Sequence, residues 1–136
     1  MEPKKVVLYV ALILTAVVGM VSTWNKAIEL EQTAINAPGE SVTLETIASD
    51  YQSNEIAANQ RWHGKKVRFT ARVARVSADN LILFNIGRFS AEASFSVIAS
   101  NRLAKINAAD DVTLDCYGNG VSGFTLYFTA CRTVSP

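Results

Sequence analysis

The sequence predicts an all-β domain with short helices, a five-stranded Greek-key barrel preceded by an N-terminal transmembrane helix and a helical lead-in. Three observations predict it: an uncharged run from Val6 to Trp24, two capped amphipathic segments between Thr43 and Trp62, and period-two alternation that begins after Gly64. A chain of 136 residues has room for a membrane segment and one small domain. The expected division is 1–24 membrane anchor or signal segment, 25–42 linker and 43–136 barrel domain.

The apolar run follows Lys4 and Lys5, and as a helix its length is roughly 28 Å, the thickness of a bilayer's hydrocarbon core. A soluble core helix would have to bury every face of it. The two lysines predict a cytoplasmic N-terminus and Trp24 an interfacial position on the far side, which makes the rest of the chain periplasmic on a single-pass inner-membrane protein. The alternative is secretion after signal cleavage, for which Val17 and Gly19 form a poor small-residue site. The segment has no cysteine, which excludes lipoprotein processing there. Cys116 and Cys131 agree with export: an even pair in an oxidising compartment predicts a disulfide staple. They lack the close Cys-x-x-Cys spacing of a redox pair, and with one histidine in the chain a zinc site lacks ligands.

Residues 25–42 are mixed in polarity and include the turn dipeptide Pro38-Gly39, with helix expected only near Ala27 to Gln32. Thr43 caps a helix from Leu44 to about Gln52, with Leu44, Ile47, Ala48 and Tyr51 on one face. Asn54 caps a second, Glu55 to Trp62, with Ala58 and Trp62 on one side, and Gly64 ends it.

In the first strand Val67, Phe69, Ala71 and Val73 alternate with Lys66, Arg68, Thr70 and Arg72. Arg75 falls in the apolar phase and Val76 in the polar one, so a bulge is expected near Ala74. "SADN" is a turn and "LILFN", Leu81 to Asn85, the second strand. "AEASFSVI" is the third, with Ala91, Ala93, Phe95 and Val97 on one face. Asn101 to Ile106 is a short helix, and "DVTLDCY" and "FTLYFTACRTV" are two last strands joined by a "GNGVSG" loop. Three strands, a short helix and two strands is the order of a barrel of the OB type.

"YQSNEIAANQRWHGKKVRFTARVARV", "DDVTLDCYGNG" and "LYFTAC" together resemble the bacterial tRNA_anti-like OB-fold family, over about residues 44–134. The resemblance implies an exported or membrane-attached OB domain with its cysteines in the two final strands. The family's glycine in the bend of the first strand is Ala71 here.

The charge is uneven although the net value is +1: acidic residues crowd between Glu29 and Glu55, and six positive charges follow from Arg61 to Arg75. Lys66, Arg68 and Arg72 share the strand's polar side and, with Arg75, are the candidate ligand-binding residues. Single-strand binders add exposed rings to such charge. Phe69, Phe95, Phe124 and Phe128 fall in core phases, which leaves Phe84, Phe89, Tyr117 and Tyr127 as candidate surface rings. The competing reading pairs the basic strand with the acidic helices before it. His63 at a helix end fits a capping or surface role, and Asp110, Asp111 and Asp115 read as solvated carboxylates. No catalytic constellation, cofactor motif or metal set is recognised, so the expectation is a non-enzymatic envelope module, without cofactors. Its partner is an envelope protein or oligomeric ligand, or alternatively single-stranded nucleic acid or another polyanion.

Overall fold

A computed structural model describes residues 3–134, the side chains of residues 6, 8 and 27–36 excepted. The chain forms two units, residues 1–37 and 38–136.

The first unit is one helix, α1, Pro3–Asn36, of which Pro3–Lys26 is long and apolar enough to cross a bilayer. Its threonines do not spoil that. The Thr15 hydroxyl donates to the Ala11 carbonyl at 3.0 Å and the Thr23 hydroxyl to that of Gly19 at 2.6 Å, so neither polar group needs water. The helix continues to Asn36, beyond the helical stretch expected near Ala27 to Gln32, because residues 25–36 contain neither glycine nor proline.

In the second unit α2, Leu44–Ser53, and α3, Glu55–Trp62, start where their caps predict. The Thr43 hydroxyl accepts from the Thr46 amide, and the Asn54 carboxamide oxygen accepts from that of Ala57. Both buried faces are the expected ones. Gly64, with φ +75, turns the chain into the sheet.

The strands are β1, Glu40–Ser41; β2, Lys66–Ser77; β3, Leu81–Ile86; β4, Phe89–Ser94; β5, Asp111–Ser122; and β6, Thr125–Thr133. They pair in the order β1-β2-β3-β4-β6-β5, and a β2–β5 ladder closes the ring. Five strands therefore form a barrel, with β1 an added parallel strip along β2 inside the stretch expected to be linker. Gly39 makes that strip possible, since a Cβ there would lie 2.4 Å from the Val67 carbonyl carbon.

β2 serves both sides of the closure. Lys66–Arg72 pair with β5, Val73–Ser77 with β3, and the register breaks between Val73 and Arg75, at the expected bulge. The extra residue turns Arg75 outward and Val76 inward. Ala71 is regularly paired with Val112, so the bend needs no glycine at that position. A second bulge in β6 does the same. Thr129 opposes Tyr117 but Arg132 opposes Asp115, and Ala130 between them has φ +50. Strict alternation from Leu126 and Phe128 would point Arg132 into the core. The bulge instead sends Cys131 inward, to its disulfide with Cys116, and Arg132 outward.

Four details differ from expectation. β4 starts at Phe89 and ends at Ser94, and the chain then makes a 3-10 turn, Val97–Ala99, and a short α4, Ser100–Leu103, so Val97 is 79% exposed rather than in the sheet. The "GNGVSG" stretch is mostly β5, which absorbs Gly118–Val121 as an irregularity, and the turn is Gly123-Phe124. Phe124 is 56% exposed at that turn. Phe84 and Phe89, expected as surface rings, are core: Phe84 packs edge-on to Phe69 at 5.7 Å, and Phe89 is buried in the same hydrophobic cluster.

Candidate ligand-binding surfaces

The outer side of β2 and β5 is a ladder with Lys66 opposite Tyr117, Arg68 opposite Asp115, Thr70 opposite Thr113 and Arg72 opposite Asp111. Arg68 grips Asp115 with two parallel bonds, Nε to Oδ1 and Nη2 to Oδ2, both 2.8 Å. The Gly39 amide adds a longer contact to Oδ1, at 3.4 Å. The guanidinium, helped by that amide, outweighs burial and holds the Asp115 carboxyl below the usual carboxylate range, and the carboxylate raises Arg68 in return. Arg72 reaches Asp111 at 3.4 Å, but both side chains are open to solvent.

Two further cations of the basic block are also engaged. Lys65 pairs with Glu40, whose carboxyl is lowered by that bond. Arg61 lies 4.4 Å from the Trp62 ring centroid and donates to Asp50 Oδ2, the oxygen that also accepts from Trp62 Nε1 at 2.8 Å. The expected neutralisation of the basic strand is therefore present, but its carboxylates come from β5 and not from the preceding helices. Among the described ion pairs, Arg61 is the cation that meets a helical carboxylate, Asp50. The reason is long-range: β5 carries Asp111 and Asp115 in the phase that faces β2's cations, and no local pattern announces which strands will be neighbours.

Arg75 belongs to a different face. Past the bulge it stands opposite Leu83, Leu83 opposite Glu92, and Glu92 opposite Tyr127, one outward row across β2, β3, β4 and β6. Beside it runs Asn85, Ser90 and Thr125, with the Ser90 and Thr125 hydroxyls 3.1 Å apart. Near the Gly123 turn the exposed Phe124 ring packs edge-on to Phe89 at 5.5 Å, with the Arg88 guanidinium 5.2 Å from its centroid. Of the expected surface rings, Tyr117 and Tyr127 are indeed outward, and Phe124 takes the place of Phe84 and Phe89.

His63 caps α3 and bridges to Gly118, where a Cβ would lie 2.2 Å from the Trp62 carbonyl oxygen; only glycine lets α3 sit this close to β5. Among the described residues no three His, Cys, Asp or Glu side chains gather closely enough to hold a metal ion.

A third region was not signalled by the sequence pattern. Between the 3-10 turn, α4 and the ends of β5 and β6 run two adjoining grooves of about 390 and 450 Å³. Arg102 and Thr133 line both, Ile98 and Arg132 the first, Lys105 and Asp111 the second. Arg102, Lys105 and Arg132 carry no ion pair among the described residues.

No family model and no curated protein matches the chain. Among solved structures it is similar to a proposed nucleic acid-binding lipoprotein from Klebsiella pneumoniae subsp. pneumoniae, at TM-score 0.62 and 10% identity, over 71% of this chain and 92% of that one. The domain is an OB fold. It is also similar, at TM-score 0.46 and 15% identity, to a proposed aspartyl-tRNA synthetase from Leishmania major Friedlin, over 71% of this chain and 21% of that one. A replication factor A related protein from Methanobacterium thermoautotrophicum matches at TM-score 0.44 and 15% identity, over 54% of this chain and 84% of that one. In OB folds the usual ligand face lies on the second and third barrel strands, between the loop joining the first two strands and that joining the last two. Here that face is the Arg75–Leu83–Glu92–Tyr127 row together with Phe124, and not the basic ladder.

Proposed function

We propose that the chain is a non-catalytic OB-fold binding module of the tRNA_anti-like kind, tethered to the membrane by Pro3–Lys26 with the barrel on the periplasmic side. The observation that carries the binding reading is the outward row Arg75, Leu83, Glu92 and Tyr127 on the face where OB folds take ligands. It combines two half-buried apolar or aromatic side chains with hydroxyls and one carboxylate at its centre. Such a face suits an oligomeric envelope ligand of low negative charge, because Glu92 repels a phosphate backbone where bases would stack. Support for the tether is the length and apolarity of the helix, and the Cys116–Cys131 disulfide fits an oxidising compartment.

The second reading, single-stranded nucleic acid or another polyanion on Lys66, Arg68, Arg72 and Arg75, draws on the local density of charge. Against it, Arg68 and Arg72 each lie on a β5 carboxylate, and Arg75 sits on another face.

A photo-crosslinking residue at Leu83 of the full chain in the envelope should give a discrete adduct that the same residue at Thr70 does not. Anisotropy of labelled single-stranded oligonucleotides over a salt series checks the second reading. Tight binding that weakens steeply with salt and vanishes on reversing Lys66, Arg68 and Arg72 would establish it and overturn the first.

A further inference from the structure

Three cations with no ion pair among the described residues lie beside the two most exposed apolar side chains of the domain. Ile98 is 93% and Val97 79% exposed at the tip of the 3-10 turn. Ile98 shares a groove with Arg102 and Arg132, and Arg102 shares the next with Lys105. The carboxylates nearby are otherwise occupied: Asp115, across the ladder from Arg132, is gripped by Arg68, Asp111 faces Arg72, and Asp110 Oδ2 accepts from the Asn107 amide at 2.8 Å. Two bulky aliphatics standing in water next to three unneutralised cations need an occupant that is apolar in depth and anionic at its edge.

We propose that this edge of the barrel docks on an anionic bilayer surface, with Val97 and Ile98 entering the headgroup layer and Arg102, Lys105 and Arg132 meeting lipid phosphates. Interfacial segments use this combination of apolar tip and flanking Lys or Arg. A nucleic-acid strand would instead call for exposed rings, and among the described residues the ring lining these grooves, Phe95, is buried. The bilayer is also close at hand, since residues 27–36 extend helix α1 by only about 15 Å beyond the apolar span, which keeps the surface at high effective concentration. The geometry of the groove depends on the β6 bulge at Ala130, which sends Arg132 outward while its neighbour Cys131 is bonded to Cys116.

This inference rests on the membrane-tethered reading, and one experiment separates the two. The full chain is reconstituted into nanodiscs of phosphatidylcholine alone or with phosphatidylglycerol, and hydrogen exchange of peptides covering residues 95–106 is followed. Exchange there should slow roughly tenfold in the anionic discs and recover in high salt, while β2 and β3 peptides are unchanged. The Ile98→Asp variant, and separately Arg102→Glu with Lys105→Glu, should abolish the difference without lowering Tm. Equal exchange in both discs, with the protein still co-eluting with them, overturns the docking but leaves the tether standing. Failure to co-elute overturns the tether itself. Slowing of 95–106 by an added oligonucleotide, and not by anionic lipid, would replace the bilayer with a nucleic acid and overturn the proposal.

Discussion

Two regions of this barrel are basic, and they differ in what opposes the charge. On the β2 ladder, Arg68 and Arg72 lie directly across from Asp115 and Asp111. On the edge formed by α4 and β6, Arg102, Lys105 and Arg132 make no ion pair among the described residues; Arg132 stands across from Asp115 of β5, but that carboxylate is held by Arg68. The denser cluster in sequence is thus the more neutral one in space. A run of cations on a strand reports on a ligand only after the neighbouring strand is known, because cross-strand pairs of opposite charge stabilise the sheet itself.

The largest way to break the comparison is the disulfide, which joins β5, holding the carboxylates of one region, to β6, whose bulge builds the other. The cysteines are fifteen residues apart, so reduction, or Cys116→Ala with Cys131→Ala, should cost about 3 kcal/mol in urea unfolding. Hydrogen exchange should rise first at the C-terminal end of β6 and around Arg132, and last in the β2–β5 ladder.

Next in size is Asp115→Ala. It leaves Arg68, whose side chain is two-thirds covered, without the carboxylate it was built around, and removes the acceptor facing the Gly39 amide. A loss of about 2 kcal/mol in chemical denaturation is expected. Arg132→Ala, on the other basic region, should stay within about 0.5 kcal/mol, as an exposed side chain without partners does. Equal losses would dissolve the distinction between the regions.

The same pair sets a pH dependence. Asp115 has a lowered pKa in the native state, so the unfolded chain takes up that proton first as pH falls. Its contribution is fully present above the ordinary carboxylate range near pH 4 and is lost as pH drops through the native value. Asp115→Asn should flatten this part of the acid limb in Tm-against-pH curves. Charge changes at Arg102, Lys105 or Arg132 should leave its shape intact.

What could be read in advance follows the range of the interactions. Thr43 and Asn54 as caps, Gly64 as a stop and the bulge near Ala74 are written within a few residues of where they act, and all four stand in the structure. The features that escaped are set elsewhere in the chain. Asp115 becomes Arg68's partner only through barrel closure, 47 residues away. Arg132 shares the phase of Leu126 and Phe128 in sequence and is released from it by a bulge at an alanine, a residue that gives no turn signal. Phe124 has a core phase but sits at a hairpin tip, because β5 runs through glycines that resemble a loop. Phe84 escapes because Leu81 to Phe84 are all apolar, so no alternation marks the inner phase, and Phe89 because the strand starts two residues before the Ala91 at which its alternation becomes visible.

The smallest predicted effect tests what distinguishes the two arginines of β2. Arg68–Asp115 and Arg72–Asp111 have the same register and chemistry, so geometry along the ladder alone would give them equal weight. Their exposure differs: the side chains are 33% and 11% exposed in the first pair and 73% and 63% in the second. Water competes for every bond of the second pair, and at 3.4 Å its single contact is loose. A double-mutant cycle of Arg72→Ala and Asp111→Ala should therefore return a coupling below about 0.5 kcal/mol that vanishes at high salt, while the Arg68–Asp115 cycle keeps most of its coupling. If the two cycles agreed, register would be the controlling variable and Arg72 would be as fully committed to the fold as Arg68. If they differ as expected, Arg72 is the one cation of the paired ladder that an anionic ligand can take from its partner, and the boundary between the paired and unpaired regions runs between residues 68 and 72 of a single strand.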